Sequence, residues 1–309
     1  MQPEILLFDI GNTSIKIGLG NERHVLTSYT LRTDTAQSAD NFGLTLLTLL
    51  QHAGVAPAQL KACVASSVAP GFDPLLREAV ARYVGCPLQR VGKELPVPLE
   101  NRYERPAEVG ADRLVGAYAA RRMYPETPSL LIVDFGTAVT IDCVSGDAYM
   151  GGLIFPGPRT ALTALSREAA KLPRVNLDVR ANEPTPGRNT TTSIQHGLVF
   201  GFACMVEGLT QRLKRQMSGP VKVLGTGGLP LPSPESATCL IRCCPCSCSR
   251  ACAGCTTKNP ALTNSAMNPA RLSGGSLTNF LIDMIRRPPA FARGKHFRKQ
   301  ARQGKRSRQ

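Results

Sequence analysis

The chain has 309 residues, a formal net charge of +15 and 42% hydrophobic residues, which is ordinary for a globular protein. A chain of this length can bury two separate cores. No apolar run reaches the roughly 18 residues of a membrane span, and the first residues carry Glu4 and Asp9 instead of a secretory signal. We therefore expect a cytoplasmic protein without a membrane partner.

The first predicted element is a hairpin in "LLFDIGNTSIKIGLG", with strands over 6–10 and 14–19. The Gly11-Asn12 step suits its turn because both residue types tolerate a positive φ. The pattern returns in "LLIVDFGTAVTIDCV" (130–144), where Asp134 and Gly136 match Asp9 and Gly11. A separation of about 125 residues favours a duplicated domain over a solenoid repeat.

Each of these hairpins is either a plain tight turn or half of a nucleotide site. An Asp at the end of an apolar strand can hold a cation, and the Gly and Thr that follow offer N–H groups and a hydroxyl to phosphate oxygens. The common phosphate loop, G-x-x-x-x-G-K-[ST], is absent from the sequence, so two facing hairpins would have to form the phosphate clamp. Lys16 could reach the phosphates, or it is a solvated strand lysine.

The following segments alternate between strand and helix patterns. We predict strands over 23–32 and 61–68 and helices over 38–54 and 73–85, with Asp73 as the N-cap of the latter helix. Three strands followed by a helix, a strand and a helix indicate an α/β unit with a mixed sheet.

A further helix is predicted over 111–124, with Asp112 and Arg113 at its start. In the structural interpretation, Asp112 only interacts favourably with the helix dipole. In the functional interpretation, its carboxylate lies between the two halves and accepts a proton from a substrate hydroxyl.

The second half continues after its hairpin with a strand over 147–158 and a helix over 159–171. A polar loop (173–188), a long helix (191–217) and a strand with a Gly-rich turn (221–228) follow. One stripe of the long helix is apolar and predicts core or subunit interface. The stripe consists of Ile194, Leu198, Phe202, Val206, Leu209 and Leu213.

Six motifs in this order resemble those of one kinase family. They are "DIGNTSIKIG", "GADR", "DFGTAVTID", "GGLIFPG", Asn189-Thr190 before "SIQHG", and "GTGG". Together they resemble the type III pantothenate kinases, of the acetate and sugar kinase, Hsp70 and actin superfamily, over residues 4–229. The resemblance implies two duplicated ribonuclease-H-like domains, with mixed sheets flanked by helices and the active site in the cleft between them. The expected domains are 1–115 and 116–229.

The resemblance also implies the activity. It is the ATP-dependent phosphorylation of pantothenate to 4′-phosphopantothenate, the first step of coenzyme A biosynthesis, by a homodimer that uses Mg²⁺ and a monovalent cation (K⁺ or NH₄⁺). Asp112 is then the proton acceptor, and Asp134 binds the monovalent cation. The residues implied for ATP are Asp9, Ile10, Gly11, Asn12, Thr13, Ser14, Ile15, Lys16 and Thr137. Those implied for pantothenate are Tyr103, Gly110, Ala111, Asp112, Arg113 and Thr190.

The tail, 230–309, departs from this family pattern. Residues 231–309 hold 14 Lys and Arg against 2 Asp and Glu, whereas residues 1–230 hold 23 against 20. Seven of the 11 cysteines lie within 239–255. A zinc site and a basic nucleic-acid-binding extension are two interpretations. We favour a third, a disordered or frame-shifted segment, because charge and cysteine content change at one point.

A rival function uses the same fold without catalysis. In that interpretation the chain is a regulatory or nucleic-acid-binding protein that depends on the basic tail. Because the paired Asp-x-Gly turns and Asp112 suit catalysis, we expect a kinase with no nucleic-acid partner.

Overall fold

The computed structural model describes residues 3–21, 25–169, 171–179, 181 and 183–227. The predicted tail, with its zinc, nucleic-acid and reading-frame hypotheses, lies outside the described residues. So does the last residue of the predicted Gly-rich turn, Gly228.

The first half forms a mixed sheet whose described strands are ordered β3-β2-β1-β4-β5. Strand β1 is antiparallel to β2 and parallel to β4. This strand order is the ribonuclease-H-like arrangement that the family resemblance implies. The strands are β1 (Ile5–Ile10), β2 (Ser14–Gly20), β3 (Val25–Arg32), β4 (Ala62–Ser67) and β5 (Leu88–Arg90).

Four strands of the second sheet repeat this arrangement, and a fifth strand, β6, is added beside β9, so that the described order is β10-β7-β8-β9-β6. Strand β7 takes the place of β1, since it is antiparallel to β8 and parallel to β10. The duplication predicted from the two hairpins is therefore confirmed. The strands are β6 (Glu100–Asn101), β7 (Ser129–Phe135), β8 (Ala138–Ser145), β9 (Ala148–Pro156) and β10 (Val221–Gly227).

Helices cover both sheets, and one of them packs against both. In α3, Val115 and Tyr118 join a core with β1 and β4, whereas Ala117 and Ala120 join a core with β7. The start of α3 is thereby placed between the two halves. The α-helices of the described chain are α1 (Ala39–His52), α2 (Asp73–Ala79), α3 (Ala111–Met123), α4 (Pro158–Glu168) and α5 (Thr190–Lys214).

Helix α5 buries most of its predicted apolar stripe against the second sheet. Phe202 is buried there, and Leu198, Val206, Leu209 and Leu213 pack against the same core. The core interpretation of this stripe is therefore confirmed. Along the described stretches, no helix is both long and apolar enough to cross a membrane.

The predicted N-cap of α2 is wrong. The cap is Phe72, and Asp73 is the first helical residue. Its carboxylate accepts a hydrogen bond from the Ser67 hydroxyl at 2.6 Å, so it is engaged at the end of β4. The helix continues as one π-helical segment (Val80–Val84) and ends, as predicted, at Gly85, whose φ is 70°.

Candidate active site

The turns after β1 and β7 each contain one backbone hydrogen bond from a glycine, and each leaves little space for a side chain at that glycine. The Gly11 N–H donates to the Ser14 carbonyl at 3.0 Å. The Gly136 N–H donates to the Ala138 carbonyl at 3.0 Å. At each glycine, an added Cβ would lie 3.2 Å from the carbonyl oxygen that accepts the hydrogen bond of that glycine. Neither glycine has a positive φ, so the conformational reason predicted for Gly11 is wrong, and close approach of the chain selects glycine instead.

The tips of the two turns touch each other. The Oγ1 atoms of Thr13 and Thr137 lie 3.0 Å apart, although the residues are 124 positions apart in the chain. Both threonines are exposed. The two Asp-x-Gly turns therefore meet at one place, where the duplicated pattern predicts a cleft.

Hydrogen bonds from neighbouring elements hold both turns. The Thr33 hydroxyl donates to the Gly11 carbonyl at 2.7 Å. The Thr160 hydroxyl and the Gly157 N–H donate to the Thr137 carbonyl at 2.6 and 2.9 Å. Because these carbonyls are fixed by the fold itself, the exposed tips are pre-organised for a ligand.

Gly157, the N-cap of α4, leaves space for the second turn. A Cβ at this position would collide with the carbonyl oxygens of Gly136 and Thr137. Since the resemblance implies that this turn binds ATP, we expect Gly157→Ala to displace the turn and to raise the KM for ATP about tenfold or more, because small misplacements at a reacting site are costly. Steady-state kinetics with varied ATP would check this. In the control Gly208→Ala the new Cβ has nothing within 4 Å. An unchanged KM in Gly157→Ala would contradict the expectation.

Asp9 is the penultimate residue of β1 and pairs with Lys16 in β2. The Lys16 Nζ lies 3.4 Å from the Asp9 Oδ2, and the lysine side chain is 48% exposed. Burial raises the pKa of Asp9, and the Lys16 ammonium opposes this rise. The lysine is therefore an accessible positive charge beside the first turn.

Asp134 occupies in β7 the position that Asp9 occupies in β1. Burial raises the pKa of this carboxyl to about 6, the Lys16 charge lowers it, and the charges of Asp112 and Asp9 raise it. At neutral pH the carboxylate is thus an incompletely balanced anion. A bound cation would stabilise this ionised form.

Asp112 lies in the first turn of α3, after the N-cap Gly110. Its Oδ1 accepts the Arg113 N–H at 2.7 Å. A Cβ at Gly110 would lie 2.5 Å from this oxygen, so glycine makes room for the carboxylate. Burial raises the pKa of Asp112, and its charge in turn raises the pKa values of Asp9 and Asp134. The carboxylate is therefore close enough to act on both turns.

Arg113 directs its guanidinium to a residue that sequence reasoning missed. Its Nε donates to the Asp142 Oδ1 at 2.7 Å. The Tyr149 hydroxyl donates to the same oxygen at 2.8 Å, and the Thr140 hydroxyl donates to Oδ2 at 3.1 Å. Burial raises the pKa of Asp142, and Arg113 opposes this rise. A charged residue within the apolar strand "VTIDCV" was the available signal.

Two predicted pantothenate residues lie in different surroundings. Tyr103 is half-buried, and a Cβ at Gly151 would lie 3.4 Å from its ring. Its hydroxyl is near enough to raise the pKa of Arg113. Thr190 is exposed as the first residue of α5, and its role in substrate binding stays a prediction.

The other predicted residues differ in what they can offer a ligand. The side chains of Ile10 and Ile15 are fully buried, so only their backbone groups can face a ligand. Asn12 is exposed at the turn, and Ser14 is half-buried. Ala111 packs against the core below α3 and therefore also offers backbone.

The end of β10 approaches the second turn closely. Gly227 pairs with Phe135 and has a φ of 106°. A Cβ there would lie 2.5 Å from the Phe135 carbonyl oxygen. The glycine is thus required for strand approach, and a contact with a base or ribose stays a prediction.

Within the described ranges, no group of three or more His, Cys, Asp or Glu side chains is arranged to hold a metal ion. A cation here would therefore need phosphate and water oxygens besides a carboxylate. Mg²⁺ is commonly bound in this way, by one or two carboxylates together with substrate phosphates.

Comparison with known proteins identifies the family. A family model described as type III pantothenate kinase matches residues 5–212. The type III pantothenate kinase of Desulfovibrio desulfuricans is 83% identical over 228 residues, which are 74% of this chain and 87% of that protein. That of Nitratidesulfovibrio vulgaris is 57% identical with the same coverage. The solved ROK hexokinase of Thermus thermophilus is 16% identical, over 76% of this chain and 85% of that chain, with a TM-score of 0.43. From the family match and these high identities, the chain belongs to the type III pantothenate kinase family.

Proposed function

We propose that this chain transfers the γ-phosphoryl group of ATP to the hydroxyl of pantothenate, which yields 4′-phosphopantothenate for coenzyme A biosynthesis. The observation that carries the proposal is the position of Asp112 in the first turn of α3, the helix that packs against both sheets. Family membership supports pantothenate as the acceptor. The rival regulatory or nucleic-acid-binding function is not favoured by these relatives.

Asp112 serves as the proton acceptor. Phosphoryl transfer passes through a loose transition state, so the base mainly orients the hydroxyl and takes its proton late. Burial raises the pKa of Asp112 and makes the carboxylate a stronger base than an exposed one. Its hydrogen bond from the Arg113 N–H, at 2.7 Å, fixes one oxygen and leaves the second for the substrate.

The two turns bind the phosphates of ATP. Backbone N–H groups and the hydroxyls of Thr13 and Thr137 lie at the exposed tips and suit phosphate oxygens. Lys16 supplies a positive charge from β2. These groups act through position and charge, which is most of what phosphoryl transfer requires.

The proposed cations are Mg²⁺ and a monovalent ion, K⁺ or NH₄⁺. Asp9 and Asp134 would hold them from the two strand ends, Asp134 holding the monovalent ion. Bound cations would neutralise the phosphate charge. The donor set fits, because burial raises the pKa values of Asp9 and Asp134, the Asp112 charge raises them further, and the nearby Lys16 opposes these effects only in part.

The proposal keeps the finer expectations from the sequence. Tyr103, Gly110, Ala111, Arg113 and Thr190 are proposed to bind pantothenate. The two domains, 1–115 and 116–229, and the homodimer rest on the resemblance, and the cytoplasmic location rests on the sequence patterns. Sedimentation of the purified chain would test the dimer.

The deciding experiment measures ADP release by the purified full chain with ATP and Mg²⁺, with and without pantothenate and with K⁺ or Na⁺. We expect release that depends on pantothenate and is stimulated by K⁺. A folded chain that releases no ADP in response to pantothenate would refute the proposed function. Equal rates in K⁺ and Na⁺ would refute only the selective monovalent site.

A further inference from the structure

Asp142 is a buried carboxylate with no role in the site as described so far. It is 3% exposed and lies in the middle of β8. Its oxygens accept hydrogen bonds from Arg113, Tyr149 and Thr140 at 2.7, 2.8 and 3.1 Å. Such a fully engaged carboxylate holds its partners in one geometry.

A continuous chain of hydrogen bonds connects Asp142 to the proposed base. Arg113 donates its backbone N–H to the Asp112 carboxylate at 2.7 Å and its Nε to the Asp142 carboxylate at 2.7 Å. The same residue therefore contacts both carboxylates. Because Arg113 belongs to α3 and Asp142 to β8, this chain ties the start of the helix to the second sheet.

Burying an ion pair is a weak source of stability. Removing both charges from water is costly, and apolar replacements of such pairs are often neutral or stabilising. The Arg113 guanidinium also lies 5.8 Å above the Tyr149 ring, so the aromatic residue restrains it further. The pair is better explained by placement of Arg113 than by stability of the fold.

The Arg113 guanidinium faces Asp142 with both its Nε and its Nη2. Its Nη2 lies 2.6 Å from the Asp142 Oδ1 but is not aligned for a hydrogen bond, and it has no other partner among the described residues. Tyr103, proposed to bind pantothenate, is close enough to interact with this charge. A Cβ at Gly151 would lie 3.4 Å from the Tyr103 ring, and a Cβ at the adjacent Gly152 would lie 2.8 Å from the Arg113 Nη2. The guanidinium held by Asp142 therefore borders the proposed acceptor subsite.

We propose that Asp142 is a positioning residue for the acceptor side of the reaction. Its carboxylate holds the Arg113 guanidinium, and through Arg113 it fixes the start of α3 with the Asp112 carboxylate. This inference rests on the proposed kinase function and deepens it. It assigns Asp142, with Tyr149 as its support, to pantothenate use and not to ATP binding.

The test compares Asp142→Asn and the milder Tyr149→Phe with the wild-type full chain. We expect kcat/KM for pantothenate to fall about 10- to 100-fold in Asp142→Asn, because a displaced reacting group is costly. We expect the KM for ATP to change by less than about twofold, since this ligand binds at the turns. Tyr149→Phe should show the same selectivity with a smaller loss.

Arg121→Gln is the matched structural control. Arg121 is also a buried arginine of α3, but its Nη1 donates to the carbonyls of Tyr124 and Thr127 at 3.0 and 2.7 Å. Its loss should lower thermal stability without selective loss of pantothenate use. If Asp142→Asn behaved like this control, or affected ATP and pantothenate equally, the positioning role would be wrong.

A double-mutant cycle tests whether Asp142 acts through Arg113. We expect kcat/KM for pantothenate to be no lower in the double variant Asp142→Asn with Arg113→Gln than in Arg113→Gln alone. The reason is that both replacements remove the same Asp142–Arg113 interaction. Fully additive losses would overturn the inference.

A readout without turnover separates this inference from the proposed function. In ¹⁵N-arginine NMR spectra, the Arg113 Nε–H signal should exchange slowly with solvent in the wild type and broaden or shift in Asp142→Asn, while the Arg121 signal stays. If the Arg113 signal behaves in this way but the wild-type chain has no kinase activity, the kinase function is refuted and the placement of Arg113 by Asp142 is confirmed. An unchanged Arg113 signal would overturn the inference whatever the activity.

Discussion

Replacing Asp112 with Asn is expected to lower kcat about 10²- to 10⁴-fold, the usual contribution of a positioned general base. The amide oxygen can still accept the Arg113 N–H that Asp112 accepts at 2.7 Å, so the start of α3 should keep its geometry. The amide cannot accept the proton of the substrate hydroxyl. The loss should therefore fall on kcat, with little change in the KM for ATP, as measured by steady-state kinetics.

Glu108→Gln is the control for this prediction. Glu108 lies just before α3, and its side chain is 56% exposed, so neutralising it removes a nearby negative charge without touching the cleft. Its kcat should stay within about twofold of the wild type. A wild-type kcat in Asp112→Asn would show that Asp112 is not the base.

Replacing Asp134 with Asn is expected to abolish stimulation by K⁺ and to stabilise the cation-free protein. The pKa of Asp134 rises from its ordinary value of 3.8 to about 6, mainly through burial. The folded protein therefore prefers the neutral carboxyl. The stability gained from this neutral form is fully present below pH 3.8 and is lost as the pH rises through about 6.

At neutral pH the ionised carboxylate destabilises the wild type by about 3 kcal/mol at most, since one pKa unit corresponds to about 1.4 kcal/mol. Asn carries no charge and escapes this cost. We expect Asp134→Asn to raise the melting temperature of the cation-free protein at pH 7.5 and to flatten its decline between pH 4 and 6. Calorimetric scans across this pH range, with and without K⁺ and Mg²⁺, would measure both effects.

Asp147→Asn provides the comparison for Asp134. Asp147 lies at the β8–β9 connection in the same half, and its side chain is 89% exposed. Its replacement should leave the melting temperature and the K⁺ response nearly unchanged, because exposed charges are well screened. Lower stability of Asp134→Asn at pH 7.5 would contradict the proposed electrostatic balance of the cleft.

Local patterns in the sequence determined the element types and the most informative chemistry. Alternating apolar residues predicted the main strands, and the repeated Asp-x-Gly turns predicted the duplication that β1 and β7 confirm. The helical period and its polar start placed Asp112 at the beginning of α3. These features depend on neighbours within a few positions, so the sequence displays them directly.

The sequence did not reveal contacts that join distant segments. The two-residue strand β6 is too short for any period, and it pairs with β9 in the second sheet. The Thr13–Thr137 contact and the Arg113–Asp142 pair link residues 124 and 29 positions apart.

The sequence therefore determined which residues are available to the site: the two aspartates at the strand ends, the base at the start of α3 and the glycines that leave space. Only the tertiary structure decided which side chains face each other, including the placement of Arg113 by Asp142. The physical reason is that packing of α3 against both sheets places Asp112 and Arg113 relative to the strands. Such packing depends on the whole core and not on any local pattern.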